Sequence, residues 1–135
     1  MPRKITLEFP YQPPPELRGN SRAHWSKRNR AVKALREATY ARFLGICVNE
    51  MAEGEGCALV PWPRARITYT SYWCGKPIDE DNLIIGCKPI LDEIITYGIL
   101  ADDSPKYLDG IDVRYVRVAH REDIRVVVEV EEVGA

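Results

Sequence analysis

The sequence predicts an α/β domain of the α+β kind: a single mixed β-sheet with two packed helices, in the order β-α-β-α-β-β. Three observations carry this. Four short segments alternate apolar with polar residues, as half-buried strands do. Two segments among them repeat apolar residues at helical spacing. No composition shift divides the 135 residues, whose 45% hydrophobic and 29% charged content suits one closed core. One domain over residues 1–135 is therefore expected.

Lys4 to Phe9 sets Ile5, Leu7 and Phe9 against Lys4, Thr6 and Glu8, the first strand. Pro10, Pro13, Pro14 and Pro15 end it and impose an extended loop through Arg18-Gly19-Asn20-Ser21-Arg22. A helix begins around Ser26, with Val32, Leu35, Thr39, Phe43 and Ile46 on one face, and ends near Asn49. Glu53 to Pro63, with two glycines and two prolines, is a connecting loop. Ala65 to Trp73 is the second strand, with Ile67, Tyr69, Ser71 and Trp73 sharing a face. The polar turn from Gly75 to Asn82 leads into a second helix. Pro89 near its first position and Gly98 just past its end mark its limits, and a bend is expected near Gly86. Ile111 to Ala119 and Ile124 to Glu131 are the last strands, joined as a hairpin by His120-Arg121-Glu122-Asp123. The terminal residues, ending Val133-Gly134-Ala135, are expected to fray.

Several classes are excluded. No apolar run approaches the roughly 18 residues of a membrane span. Met1-Pro2-Arg3-Lys4 leads into an alternating segment, not a signal-peptide core, and no repeat period is present. Cys47, Cys57, Cys74 and Cys87 form no CxxC pair, and only His24 and His120 could assist them, which argues against zinc and for reduced thiols in a cytoplasmic protein.

Charge is unevenly distributed. Residues 1–50 hold ten Lys and Arg against four Asp and Glu, and residues 51–135 hold nine against sixteen. Such asymmetry suggests a phosphate-facing surface beside a cation-binding one. Arg18, Arg22, Lys27, Arg28, Arg30, Lys33 and Arg36 crowd one stretch around His24 and Trp25. Phosphate neutralisation calls for such a cluster, and Arg22, Lys27, Arg28 and Arg30 are its expected DNA contacts. Trp25 could stack on an unpaired base, but an ordinary buried Trp is the expectation.

Asp79 and Asp81 follow the second strand, and Asp102 and Asp103 follow the second helix. If the first pair lies on extended chain, its i, i+2 spacing puts both carboxylates on one face. A strand-helix-return path would bring the second pair back towards them. Converging carboxylates repel unless a cation neutralises them, and hard oxygen donors suit Mg²⁺ or Mn²⁺. Taken singly, each Asp is better read as an ordinary turn or helix-cap residue, and it is the two acidic turns flanking one helix that point towards a cation. An EF-hand is excluded, since Ile84 and Ile90 fall where Gly and Glu are required. On position alone Lys88 is an exposed lysine; alternatively it faces a phosphate together with a helix start.

Asp79-Glu80-Asp81-Asn82-Leu83, Lys88-Pro89-Ile90-Leu91-Asp92 and Gly98-Ile99-Leu100-Ala101-Asp102-Asp103 together resemble the signature of the RusA family of Holliday junction resolvases. The resemblance is close over residues 77–104 and looser over the early strand, the loop holding Asn20 and the basic helix. It implies a homodimeric, Mg²⁺-dependent endodeoxyribonuclease of bacterial or prophage origin that cuts four-way junctions symmetrically in recombination and repair. By residue, it implies that Asp79, Asp81 and Asp103 hold metal and that Lys88 is the essential lysine. Asp102 corresponds to the first of the paired aspartates, and Asn82 completes the D-x-D-N motif. Two features depart from the family pattern: a longer interval between Asn82 and Lys88, and a single lysine, Lys76, just before the first aspartate. The expected chemistry is metal-assisted phosphodiester hydrolysis leaving a 5′ phosphate, with Lys88 offsetting charge on the pentavalent phosphorus. Two alternatives are a non-catalytic module that binds DNA junctions and a metal-dependent hydrolase of small phosphate esters.

Overall fold

The computed structural model describes residues 3–19, 21–49 and 61–133. The alternation in the sequence becomes four strands: β1 (Lys4–Phe9), β2 (Ala65–Trp73), β3 (Leu108–Arg117) and β4 (Arg125–Glu132). Helix α1 covers Trp25–Asn49, and two shorter helices, α2 (Glu80–Gly86) and α3 (Lys88–Tyr97), follow β2. The described residues thus form an α+β fold with one mixed four-stranded sheet and three helices, one more than the two expected. The extra helix arises where a bend was foreseen: α2 stops at Gly86 and α3 restarts after Cys87, with Pro89 in its first turn. Proline removes a backbone donor that a continuous helix would need there. Gly98 closes α3 in the left-handed region, φ 110°, as its position predicted.

The strand order is β1-β4-β2-β3. β4 lies antiparallel to both β1 and β2, and β2 pairs parallel with β3. The expected β3–β4 hairpin is therefore not formed, because β2 lies between the two strands. Seven residues separate β3 from β4, enough to step across one strand, or two inter-strand spacings of about 4.8 Å. Burial favours this order. β2 has its inward side chains Ala65, Ile67, Tyr69 and Ser71 fully buried and even its outward Thr70 nearly so. β3 carries Asp109, Asp112, Arg114 and Arg117 and is half-buried to exposed along most of its length, as suits an edge strand.

All three helices pack on one face of the sheet. Ile5, Leu7 and Phe9 of β1 and Val126, Val128 and Val130 of β4 meet Leu35 and Phe43 of α1 and Leu83, Ile90 and Ile94 of α2 and α3 in a single core. The face read for α1 is the one buried: Leu35, Thr39 and Phe43 are inaccessible, and Val32 and Ile46 pack at the margin. Phe43 stacks on Tyr97 with ring centroids 4.5 Å apart. Arg36 joins α1 to α3 through Glu93 at 3.1 Å and Thr96 at 2.8 Å. The opposite face is polar, laced by Arg66 to Asp109 and Asp112 and by Lys4 to Glu129.

Among the described residues no helix is long and apolar enough to cross a membrane. Cys74 and Cys87 are free thiols. The Glu53–Pro63 loop up to residue 60, Asn20, Cys57, the side chain of Cys47 and the last two residues lie outside the described residues.

The Tyr69 hydroxyl is buried and has no hydrogen-bond partner among the described residues. Burial drives its pKa well up, with smaller contributions from Cys87 and Asp92, and pushes the Cys87 thiol up to about 12. An unpartnered buried hydroxyl costs about 1–3 kcal/mol. Tyr69→Phe should therefore raise the thermal midpoint, by roughly 3–5 °C for a gain of about 1 kcal/mol. A fall on thermal denaturation would show that the hydroxyl bonds a buried water.

Candidate functional site

The parallel β2–β3 pair places the start of α2 beyond the carboxyl end of β2. Asp79 is still extended, φ −69° and ψ 161°, and its side chain caps α2 by accepting the Asn82 N–H at 3.1 Å. The helix begins at Glu80, so Asp81 lies in its first turn. The premise of extended chain through both aspartates does not hold, because the cap turns the chain one residue after Asp79. Asp79, Glu80 and Asp81 are all exposed. Negative charge is favourable there, since the first turn presents unsatisfied N–H groups.

These carboxylates face a residue that the sequence did not single out. Tyr115 of β3 pairs with Ser71 on the helix side of the sheet. Its phenol is pushed up first by burial and then by Glu80, Asp79 and Asp81. With β3 expected to pair with β4, the parallel contact that carries Tyr115 to α2 was hidden; its inward parity at the strand end was the available signal.

At the far end of α2, Lys88 Nζ lies 2.6 Å from Asp103 Oδ2 and 3.2 Å from Asp92 Oδ1. Asp103 raises the Lys88 pKa, with Asp92 adding to it against some desolvation, and Lys88 in turn holds the Asp103 carboxyl below its usual range. The bend at Cys87 thus lets Lys88 reach Asp103 despite the longer interval after Asn82. Asp102 is exposed beside it.

The expected convergence of three or four carboxylates resolves into two sets, one capping α2 and one around Lys88. In kind, the donors fit a hard divalent cation. In spacing, no group of three His, Cys, Asp or Glu among the described residues is arranged to hold a metal ion.

The basic segment approaches the same helix. Gln12 anchors the Pro-rich loop, donating to the Tyr72 and Arg125 carbonyls at 3.2 and 2.8 Å and accepting the Ser71 hydroxyl at 2.9 Å. The loop then lies on α2: a Cβ on Gly19 would stand 2.7 Å from Ile85 Cδ1 and 3.0 Å from Asn82 Oδ1. Only a glycine allows that approach without displacing a neighbour. The seven cations divide by role. Arg18 donates to the Pro13 carbonyl, and Arg36 is bound to Glu93. Arg22, Lys27, Arg28, Arg30 and Lys33 make no ion pair among the described residues, whereas Arg3, Lys4, Arg64, Arg66, Lys88 and Arg125 all do. Trp25 corrects the sequence expectation. It is 68% exposed, because it opens α1 ahead of the residues that pack on the sheet.

No protein-family model matches the chain, and no curated protein matches it.

Proposed function

We propose that the chain is a Mg²⁺-dependent endodeoxyribonuclease acting on branched DNA, Holliday junctions above all, of the kind the RusA family represents, and that it works as a homodimer. The observation that carries this is the Lys88–Asp103 contact. Two residues the resemblance assigns to the site, fifteen apart in the chain, meet at 2.6 Å. They do so one short helix away from Asp79 and Asp81. Five basic side chains without ionic partners among the described residues add a surface for the phosphate backbone.

The resemblance assigns the metal to Asp79, Asp81 and Asp103, which stand here in two separate sets, so all three would have to be drawn together around it; when bound, the metal would supply Lewis acidity and an activated water. The other roles belong to the chain itself. Arg22, Lys27, Arg28 and Arg30 bind and orient the DNA backbone. Lys88 presents a compact positive charge towards the phosphate that gains negative charge on attack. A two-fold pair of sites would make symmetrical cuts.

The Asp79 cap and the Lys88–Asp103 ion pair are also ordinary structural roles, and they favour a second reading, a non-catalytic module that binds DNA junctions. The experiment is to incubate the protein with a labelled four-way junction, a linear duplex and a nucleotide, with and without Mg²⁺. Mg²⁺-dependent cutting of the junction alone is expected. Retention of the junction without cutting supports the module, and hydrolysis of the nucleotide alone supports a phosphate-ester hydrolase.

The basic surface has its own test. Replacing Lys27, Arg28 and Arg30 together by Ala should weaken binding to junction and duplex alike. The slope of log K against log salt should flatten by about 0.9 for each phosphate that is no longer neutralised. An unchanged slope places the DNA surface elsewhere.

A further inference from the structure

We propose that Trp25, backed by His24, is a stacking platform for an unpaired base, so that the DNA this chain selects carries an unstacked base next to duplex. The proposal rests on the DNA-binding half of the function proposed above and not on cleavage.

Exposure is the first support. The chain buries Trp62 to 3% yet leaves Trp25 68% exposed. A solitary exposed indole is common in itself, but this one is held in place. Its ring lies 5.5 Å from that of His24, tilted by 35°. His24 in turn is fixed at the start of α1: Nδ1 accepts the Ser26 N–H at 3.2 Å and lies 2.9 Å from Ser26 Oγ. A ring pair anchored at a helix start, with one indole side open, is built to receive a third flat ring. Every nucleobase has such a face, so stacking works without sequence preference.

The surroundings select the ligand. Arg22, Lys27 and Arg30, close to the ring pair in sequence, are exposed, Arg28 is half-buried, and none makes an ion pair among the described residues. Phosphates flanking a stacked base would meet these cations. The residues after Trp25, Ser26-Lys27-Arg28-Asn29-Arg30, are polar without exception, so the first helical turn beside the indole is polar and suits a phosphate-bearing ligand.

Location joins the platform to the carboxylates. Gly19 rests against Asn82 and Ile85 of α2, and Trp25 follows six residues later. Six residues span at most about 20 Å, equal to about six nucleotide steps along one strand. An unpaired base on Trp25 and the backbone near Asp79 and Asp81 therefore fit within one short stretch of DNA.

The test measures binding in EDTA, so that no cutting enters. The full-length protein is titrated into a duplex and into the same duplex carrying a single unpaired 2-aminopurine. Quenching of the 2-aminopurine is expected, with binding tighter than to the plain duplex by about 5- to 150-fold, the range of one base–aromatic stack. Trp25→Ala should lose the quench and the preference while binding plain duplex as the parent does. Trp25→Phe should retain most of both. Retention of the preference and the quench by Trp25→Ala overturns the proposal, as does an equal loss on both DNAs. A protein that passes this test and never cuts DNA in Mg²⁺ refutes the nuclease function and leaves the platform standing. One that cuts junctions but fails here does the reverse.

Discussion

Asp79→Asn and Asp81→Asn should each leave a protein that binds a four-way junction and does not cut it. The Asn replacement is the informative one at position 79. The Asp79 side chain accepts the Asn82 N–H and caps α2. Asn is as good a cap as Asp, whereas Ala would cost about 1 kcal/mol and blur a folding defect with a catalytic one. Asp81 lies exposed in the first turn, so its amide variant also keeps the fold. The loss should fall on cleavage, because the amide removes the charge with which a carboxylate holds a hard cation. Junction affinity should be unchanged or higher, since repulsion of phosphate falls. The measurement is cleavage beside gel retention of a labelled junction, with the thermal midpoint as a control on folding. Full cleavage by either variant would take that aspartate out of the chemistry.

The second large effect is expected at Lys88. Lys88→Ala should lower the single-turnover rate of junction cleavage at saturating protein by about 10²–10³, the loss usual for one donor aimed at developing charge. Affinity should move far less, as one phosphate contact among many. Lys88→Arg should not restore the rate, since a planar fork does not replace a compact ammonium held between Asp92 and Asp103. The pair also predicts a pH profile. Asp103 is held below its usual range and Lys88 above its own. The pairing is thus present above the free carboxylate's pKa and is lost as pH falls through the lowered Asp103 value, or as it rises through the raised Lys88 value. Neither group accounts for a rate step between about pH 5 and 9. If Lys88→Ala cuts at the parent rate, the ammonium serves only the ion pair. Lys76, or an arginine of the basic segment, is then the candidate for its role.

Much of the local structure could be read directly. β1, β2 and β4 follow from alternation, α1 from its Leu35–Thr39–Phe43 spacing, the end of α3 from Gly98 and the break at Cys87 from Pro89. The candidate site was legible as a set of residue types, and less so as a geometry. The D-x-D-N, lysine and D-D segments could be named. That Asp79 is a cap, that Asp81 is helical and that Tyr115 stands beside them could not, because each depends on which strand pairs with which and on where the chain first turns helical.

What the sequence determined by itself is set by neighbours along the chain. Strand alternation, helical periodicity, proline and glycine stops and the crowding of charge each depend on bonds and contacts a few residues long, so they are visible without the fold. The tertiary structure decided the rest. It set β2 between β3 and β4, carried Lys88 onto Asp103, tied up Arg18 and Arg36 while leaving Arg22, Lys27, Arg28 and Arg30 without ion pairs among the described residues, and put Trp25 in solvent. The reason is common to all four. A local hairpin competes with burying β2 on both of its edges, and a lysine or an indole takes its place only after distant segments have claimed the core. The apolar surface removed from water by that choice outweighs the local preference, and it is counted over the whole sheet at once.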